Sequence, residues 1–303
     1  DQTYFKKSDD SGVTWSDDML LTYETYSPSQ IAVATSGKDI HLFFVYPSIT
    51  SESWKYRVMY MRSTDSGDNW DDPVQVGIGI NPSIAVDGEN AYVAYQTTYT
   101  NPIYFNGQVG SQVIVARSID GGESWLSGQI FYHSAEYQSS KPKIAASGNY
   151  VYMVWVHRLG EMHYVNSSDY GETWNQTDAP YPILATPMPI GSFSHDSFDI
   201  SALGEWLYVV WSSEVGTNAY EVRAKFGKPS SGIWFERVVT DVAALSLYPR
   251  CTVDAAGVLH VLWQDDRTGT EQIRYSSITQ SNTTIEDDVS VTESFSGASC
   301  PTM

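Results

Sequence analysis

The chain has 303 residues, with 36 acidic and 17 basic side chains and a formal charge of −19. That balance argues against a nucleic-acid partner and against charge-driven binding to an anionic membrane. No apolar run approaches the ~18 residues needed to span a bilayer, and 21 Tyr and 10 Trp fit a chain built of strands.

The first marked element is a turn, Ser8-x-Asp10-x-Gly12-x-x-Trp15. It returns as Ser63-x-Asp65-x-Gly67-x-x-Trp70, Ser118-x-Asp120-x-Gly122-x-x-Trp125 and Ser167-x-Asp169-x-Gly171-x-x-Trp174, at intervals of 55, 55 and 49 residues. Repeats of this period mean an array of like units. Ser and Asp side chains can bond backbone N–H groups a few residues on. Gly supplies a positive φ, and Trp buries a large apolar face.

Each turn closes a longer unit. An inner strand A comes first: Ile31-Ala32-Val33-Ala34, Ile84-Ala85-Val86-Asp87, Ile144-Ala145-Ala146-Ser147, Phe198-Asp199-Ile200-Ser201 and Cys251-Thr252-Val253-Asp254. Pro82, Pro142 and Pro249 stand two residues ahead of their copies, where a missing N–H costs least. A turn leads to an apolar strand B: Ile40-His41-Leu42-Phe43-Phe44, Ala91-Tyr92-Val93-Ala94-Tyr95, Val151-Tyr152-Met153-Val154-Trp155, Leu207-Tyr208-Val209-Val210-Trp211 and Leu259-His260-Val261-Leu262-Trp263. Runs this apolar read as strands buried on both faces. His41 and His260 hold the place of Tyr92, Tyr152 and Tyr208, so they read as strand residues. Strand C, which enters the turn, can be placed six times, the last two at Glu221–Lys225 and Gln272–Ser277. An outer strand D follows, as at Val74–Val76 and Gln129–Tyr132.

Four-stranded units in a ring are propeller blades. The four turns resemble the Asp box of the BNR repeat, found in sialidases and other secreted β-propellers. That resemblance covers about residues 4 to 278 and implies an all-β propeller. The chain then opens inside a blade, at strand C. Six blades with two strands supplied elsewhere is the preferred count, and five blades closed by an N-terminal strand is the alternative. Residues 1–278 are expected to be the propeller domain. Residues 279–303, rich in Ser, Thr and acid, are expected to be a final edge strand and linker or tail.

The resemblance places the Asp boxes on the rim, away from any catalytic centre. Ligands would meet the opposite mouth, at the D-to-A and B-to-C loops. Two expected loops there are long, 96 to 112 and 185 to 198. The first carries Tyr99, Tyr104 and Phe105, whose rings suit stacking on sugars, as does Tyr248 beside Pro249. A sialidase-like site would need three arginines to grip a carboxylate, a Tyr activated by Glu, and an Asp acid/base. Arg57, Arg158, Arg250 and Arg267 are the arginine candidates, with Glu136, Tyr137 and Asp196 as further catalytic candidates. Asp266-Arg267 also reads as a local ion pair across a turn. The family's first arginine stands in an Arg-Ile-Pro motif, and this chain has none.

Two functional readings follow. One is a non-catalytic secreted or cell-surface module binding a glycan or protein at one propeller face, associated with further domains or with copies of itself. The other is a glycoside hydrolase resembling exo-sialidases. No cofactor is expected, apart from calcium at Asp-rich turns. His133, His157 and His195 show no metal-ligand spacing. Sequons at Asn166, Asn175 and Asn282 point to an extracellular setting, and the opening at Asp1 reads as a processed or trimmed chain. Cys251 and Cys300 are either a pair or a buried thiol and a tail thiol.

Overall fold

The structure, a computed structural model, describes residues 2–22, 28–49, 54–100, 109–131, 139–157, 162–175, 198–217, 219–240, 244–279 and 288–292. A two-stranded sheet opens the chain, β1 (Tyr4–Phe5) with β2 (Met19–Leu20). A four-stranded sheet follows: β3 (Ser29–Ser36), β4 (Asp39–Ile49), β5 (Trp54–Ser63) and β6 (Val74–Ile78). The next is β7 (Ile80–Asp87), β8 (Asn90–Thr100), β9 (Val109–Ser118) and β10 (Gln129–Phe131). Three strands, β11 (Ser139–Ser147), β12 (Tyr150–His157) and β13 (Met162–Ser167), make the fourth sheet among the described residues. The fifth is β14 (Phe198–Leu203), β15 (Trp206–Gly216), β16 (Ala219–Lys228) and β17 (Ile233–Val238). The sixth is β18 (Leu247–Val253), β19 (Val258–Asp265), β20 (Gln272–Thr279) and β21 (Val289–Ser290). Every sheet is antiparallel and runs in chain order. The chain divides into two compact units, Asp1–Pro142 and Lys143–Met303.

The apolar B strands are buried on both faces. In the first unit Leu42, Phe44 and Tyr46 of β4 face the opening sheet, packing with Leu21, Met59 and Met61 against Phe5. The opposite face of β4 carries Phe43, which packs with Val93, Tyr95 and Ala116 of the following sheet. In the second unit Leu207, Val209 and Trp211 of β15 pack on Tyr152 and Val154. Tyr208 and Val210 turn to Leu259, Val261 and Trp263. Each such side chain contributes roughly 1.5–3 kcal/mol of burial, so face-to-face stacking of sheets is the main apolar term. His41 is fully buried in the Tyr position, with Nδ1 2.8 Å from Tyr60 Oη. Burial holds its imidazole below the ordinary value. His260 Nδ1 sits 2.7 Å from Tyr275 Oη in the same way.

The Asp boxes fold as their residues dictate. In the third box Ser118 Oγ donates to Asp120 Oδ1 at 2.6 Å and accepts the Gly122 N–H at 2.8 Å. Asp120 Oδ1 also accepts the Ser124 N–H at 2.9 Å. The residue before the box glycine has positive φ in every copy: Ser11, Ser66, Gly121 and Tyr170. In the second to fourth boxes its N–H reaches the A–B turn of the same sheet, at Lys38, Glu89 and Asn149 carbonyls, 2.8 to 2.9 Å away. Box tryptophans pack on the sheet before: Trp70 edge-on to Phe5 at 5.3 Å, Trp125 on Phe43 and Tyr60 at 5.2 and 5.0 Å. Trp15 departs from the expected burial. It is 61% exposed.

The expected loop over 96 to 112 is also corrected. Strands β8 and β9 run on past the core, pairing from Gln96↔Val113 to Thr100↔Val109. The run Thr97-Thr98-Tyr99-Thr100 is β-branched and aromatic, and that composition favours a continued ladder over a loop. Tyr99 is therefore a strand residue, opposite Gly110.

Candidate functional site

Four of the five inner strands, β3, β7, β11 and β18, share one irregularity at their entries. Gln30, Asn81, Lys141 and Tyr248 each take a positive φ, between 51 and 56°. Pairing slips there in β3, β7 and β18, between Ser29 and Ala32, Ile80 and Ser83, and Leu247 and Arg250. Each is a bulge in which the left-handed residue re-aims its side chain. A left-handed non-glycine costs about 1–3 kcal/mol and is held only where its surroundings over-determine it. The following proline in three copies gives up an N–H that a bulge does not use.

In the first unit these bulges are linked by side-chain amides. Gln30 Oε1 accepts the Asn81 N–H at 2.7 Å. Gln96 Oε1 accepts from Asn81 Nδ2 at 3.0 Å and from the Lys141 N–H at 3.3 Å. The result is a neutral, hydrogen-bonding rim with one cation. Sequence reasoning passed over Gln30, Asn81, Gln96 and Lys141, although the polar-Pro dipeptides Asn81-Pro82 and Lys141-Pro142 were a readable bulge signal.

In the second unit the bulge presents Tyr248 and Arg250, both half-buried. Arg250 Nη1 donates to the Pro249 carbonyl at 3.0 Å. Arg267 is held differently. Its Nε and Nη2 grip Asp265 Oδ1 and Oδ2 at 2.8 and 2.9 Å, and its Nη1 lies 2.8 Å from Asp288 Oδ2. Asp265 is fully buried at its side chain. Burial alone would push its carboxyl up, but bonds from Arg267, Trp263 and Ser246 hold it below the ordinary carboxylate range. The expected ion pair across this turn is present with a different partner. Asp265 lies at the end of β19, where its carboxylate meets Arg267 head-on, while Asp266 Oδ1 accepts the Leu245 N–H at 2.9 Å. Arg57 stands on β5 between Tyr46 and Ile78, half-buried, its Nε without a hydrogen-bond partner among the described residues.

Other candidates are placed as follows. Arg158, Glu136, Tyr137, Asp196, Tyr104, Phe105, His133, His195, Asn282 and Cys300 lie outside the described residues, as do the Tyr99 and His157 side chains. Asn166 sits half-buried on β13 opposite Tyr152, and Asn175 is exposed. Cys251 is a buried free thiol, its pKa pushed up by burial. The box aspartates, whose carboxyls are lowered to about 2 by hydrogen bonds from their own turns, spend their oxygens on those bonds. Among the described residues no group of three or more His, Cys, Asp or Glu gathers in a metal-binding arrangement. Among them, too, no helix is long and apolar enough to cross a membrane.

Six antiparallel sheets, the first four with a turn locked by a Ser-Asp-Gly box, match the blade count of a six-bladed β-propeller. The chain belongs to the BNR repeat-like domain family, whose model matches residues 2–285. Solved structures share the fold. Trypanosoma rangeli sialidase superposes with a TM-score of 0.58 at 14% identity, over 90% of this chain and 49% of its own. A Dyadobacter fermentans protein of unknown function gives 0.58 at 14% identity, over 91% and 83%. The NanB sialidase of Streptococcus pneumoniae gives 0.54 at 11%, over 86% and 60%. The chain thus spans about half the length of the trypanosomal sialidase. No curated protein matches it.

Proposed function

We propose that this propeller is a secreted or cell-surface module that binds a glycan or a protein at the inner-strand entries without turning its ligand over. The observation that carries this reading is the commitment of Arg267. Its whole fork is spent on Asp265 and Asp288, so it is not free to grip a sugar carboxylate, which takes two parallel N–H donors. What the bulges offer instead is Tyr248 and Arg250 in one unit and the amide rim with Lys141 in the other. Rings, amides and single cations suit neutral sugar hydroxyls or a polar peptide. The sialidase-like relatives share the fold at identities that carry no chemistry with them. A second reading, an exo-sialidase-like hydrolase, is favoured by Arg57, whose Nε has no hydrogen-bond partner among the described residues.

The test is a glycan array followed by surface plasmon resonance on the purified chain and on Tyr248→Asn. Asn tolerates a positive φ, so the bulge survives while the ring is lost. Loss of about tenfold or more in affinity is expected, the ordinary cost of removing an aromatic anchor. Unchanged affinity would move the site away from this bulge, and release of cleaved sugar would contradict a binding role.

A further inference from the structure

A cleft opens within the first unit, between β2 and the outer part of the sheet that holds β4 and β5. Its volume of about 450 Å³ lies in the range of ordinary ligand sites. Leu21, Tyr46, Met59 and Met61, all buried, make its floor, and the half-buried Trp70 stands beside them. They belong to the apolar cluster that packs β4 and β5 on the opening sheet. Met59 and Met61 stand four and two residues before the box serine, Ser63, and the residues so placed before Ser118 are Ile114 and Ala116. Two unbranched thioethers thus replace a branched and a small side chain. Methionine re-packs readily around an incoming group, so this floor is adaptable.

The lip of the cleft is acidic. Asp68, Asp71 and Asp72 line it, and all three are exposed. Lys7 Nζ lies 2.6 Å from Asp68 Oδ1, and Arg62 Nε lies 2.9 Å from Asp71 Oδ2, so two of the carboxylates have cations of their own. Asp72 makes no hydrogen bond or ion pair among the described residues. One uncancelled carboxylate therefore stands over an apolar floor. The residue at the same place after the third box is Ser127, so the turn itself does not require an acid there.

Two unbroken runs of chain line the cleft, 19–22 and 68–73. Successive side chains of an extended run point to opposite sides. A run that meets a cavity at every position meets it along its main chain. Residues 70–73 lie outside any strand, and β2 pairs with β1 alone among the described residues. Main-chain groups therefore face the occupant, as well as the apolar floor and the charge. That combination suits an extended peptide, which is held by main-chain bonds and selected by its side chains.

We propose that this cleft is a second binding site, for a peptide segment of a partner protein that sets an apolar side chain next to a lysine or arginine. The apolar side chain enters over Met59, Met61 and Trp70, and the neighbouring cation meets Asp72. The floor supplies the anchor, and charge complementarity selects a basic neighbour over an acidic one. The cleft is built from outer strands and the turn after the second box, apart from the inner-strand bulges at Gln30 and Asn81.

The test uses methyl-labelled methionine in the full chain, whose seven methionines keep the spectrum simple. Met59→Leu and Met61→Leu, both volume-conserving, assign the two signals from the cleft. Titration with acetyl-Gly-Phe-Lys-Gly-amide is expected to shift both and to saturate. The peptides with Glu in place of Lys, or Gly in place of Phe, are expected to bind about fivefold more weakly or worse. Asp72→Lys changes an exposed side chain with no bond to lose, and is expected to keep the fold and reverse the order of the Lys and Glu peptides. Met59 and Met61 signals that stay unmoved at millimolar peptide would overturn the proposal. So would an unchanged order of peptides with Asp72→Lys. Phenethylammonium binding as tightly as the peptide would make the occupant a small cation. Shifts that grow with the concentration of the chain alone would make it a second copy. Either result would also overturn the proposal.

Discussion

Four chemically identical turns in different surroundings allow one substitution to be compared with itself. Ser118→Ala removes a hydroxyl that bonds the Asp120 carboxylate at 2.6 Å and the buried Gly122 N–H at 2.8 Å. A hydrogen bond to a charged group contributes about 1.5 kcal/mol, and an orphaned buried N–H costs about 1–3 kcal/mol. The two overlap, because Asp120 keeps its bonds to Ser124, so a loss of about 2–3 kcal/mol is expected. Ser8→Ala breaks the same bonds, at 2.8 Å each, but there Gly12 is exposed and water replaces the hydroxyl. Its cost should be about 0.5 kcal/mol or less. Urea unfolding followed by tryptophan emission gives both numbers. Equal losses at the two boxes would refute the claim that burial of the glycine N–H, not the turn bonds themselves, sets the energy.

Gly12→Ala and Gly122→Ala form a second pair. Both glycines have φ near 85–89°, but a Cβ at Gly12 meets open space while one at Gly122 lands on Tyr60 Oη. The first should cost about 1 kcal/mol and the second clearly more, with altered near-ultraviolet dichroism from Tyr60 and Trp125. Arg267→Ala leaves the buried Asp265 carboxylate without its main partner, and should lower stability by about 3 kcal/mol. An unchanged urea midpoint would show that the pair is dispensable. The pH dependence follows from the boxes. Their aspartates titrate at about 2 when folded, against an unfolded value near 3.9. This stabilisation is complete above about pH 5 and is lost as pH falls through 4 toward 2, so an acid midpoint unmoved by Asp120→Asn would contradict it. His41 acts in the same direction at milder pH. Its lowered folded value means the unfolded chain takes up the proton first, and stability falls as pH drops below about 6.5.

Much of the fold was legible because its signals are local and repeated. Ser-x-Asp-x-Gly-x-x-Trp encodes a turn through its own side chains, and runs such as Leu207–Trp211 are apolar throughout because sheets stack on both of their faces. The extension of β8 to Thr100 was missed because loop length was counted from the core strand. The β-branched run that prolongs the ladder was not weighed. The burial of Trp15 was expected from the motif alone, whereas burial is supplied by a neighbouring sheet, which the motif cannot encode. The candidate site was less legible for the same reason. Arg267 is read as a ligand-gripping arginine in sequence because nothing local shows that its fork also reaches Asp288, and the positions of Gln30, Asn81 and Lys141 gain interest from a left-handed backbone that only the polar-Pro dipeptides signal.

Turnover of a fluorogenic sialoside by the purified, folded chain, with other glycosides in parallel and Arg250→Ala as the control, tests the central claim most directly. The account predicts no turnover above buffer. Hydrolysis that disappears in Arg250→Ala would contradict it and assign a catalytic centre to the bulge at Tyr248 and Arg250.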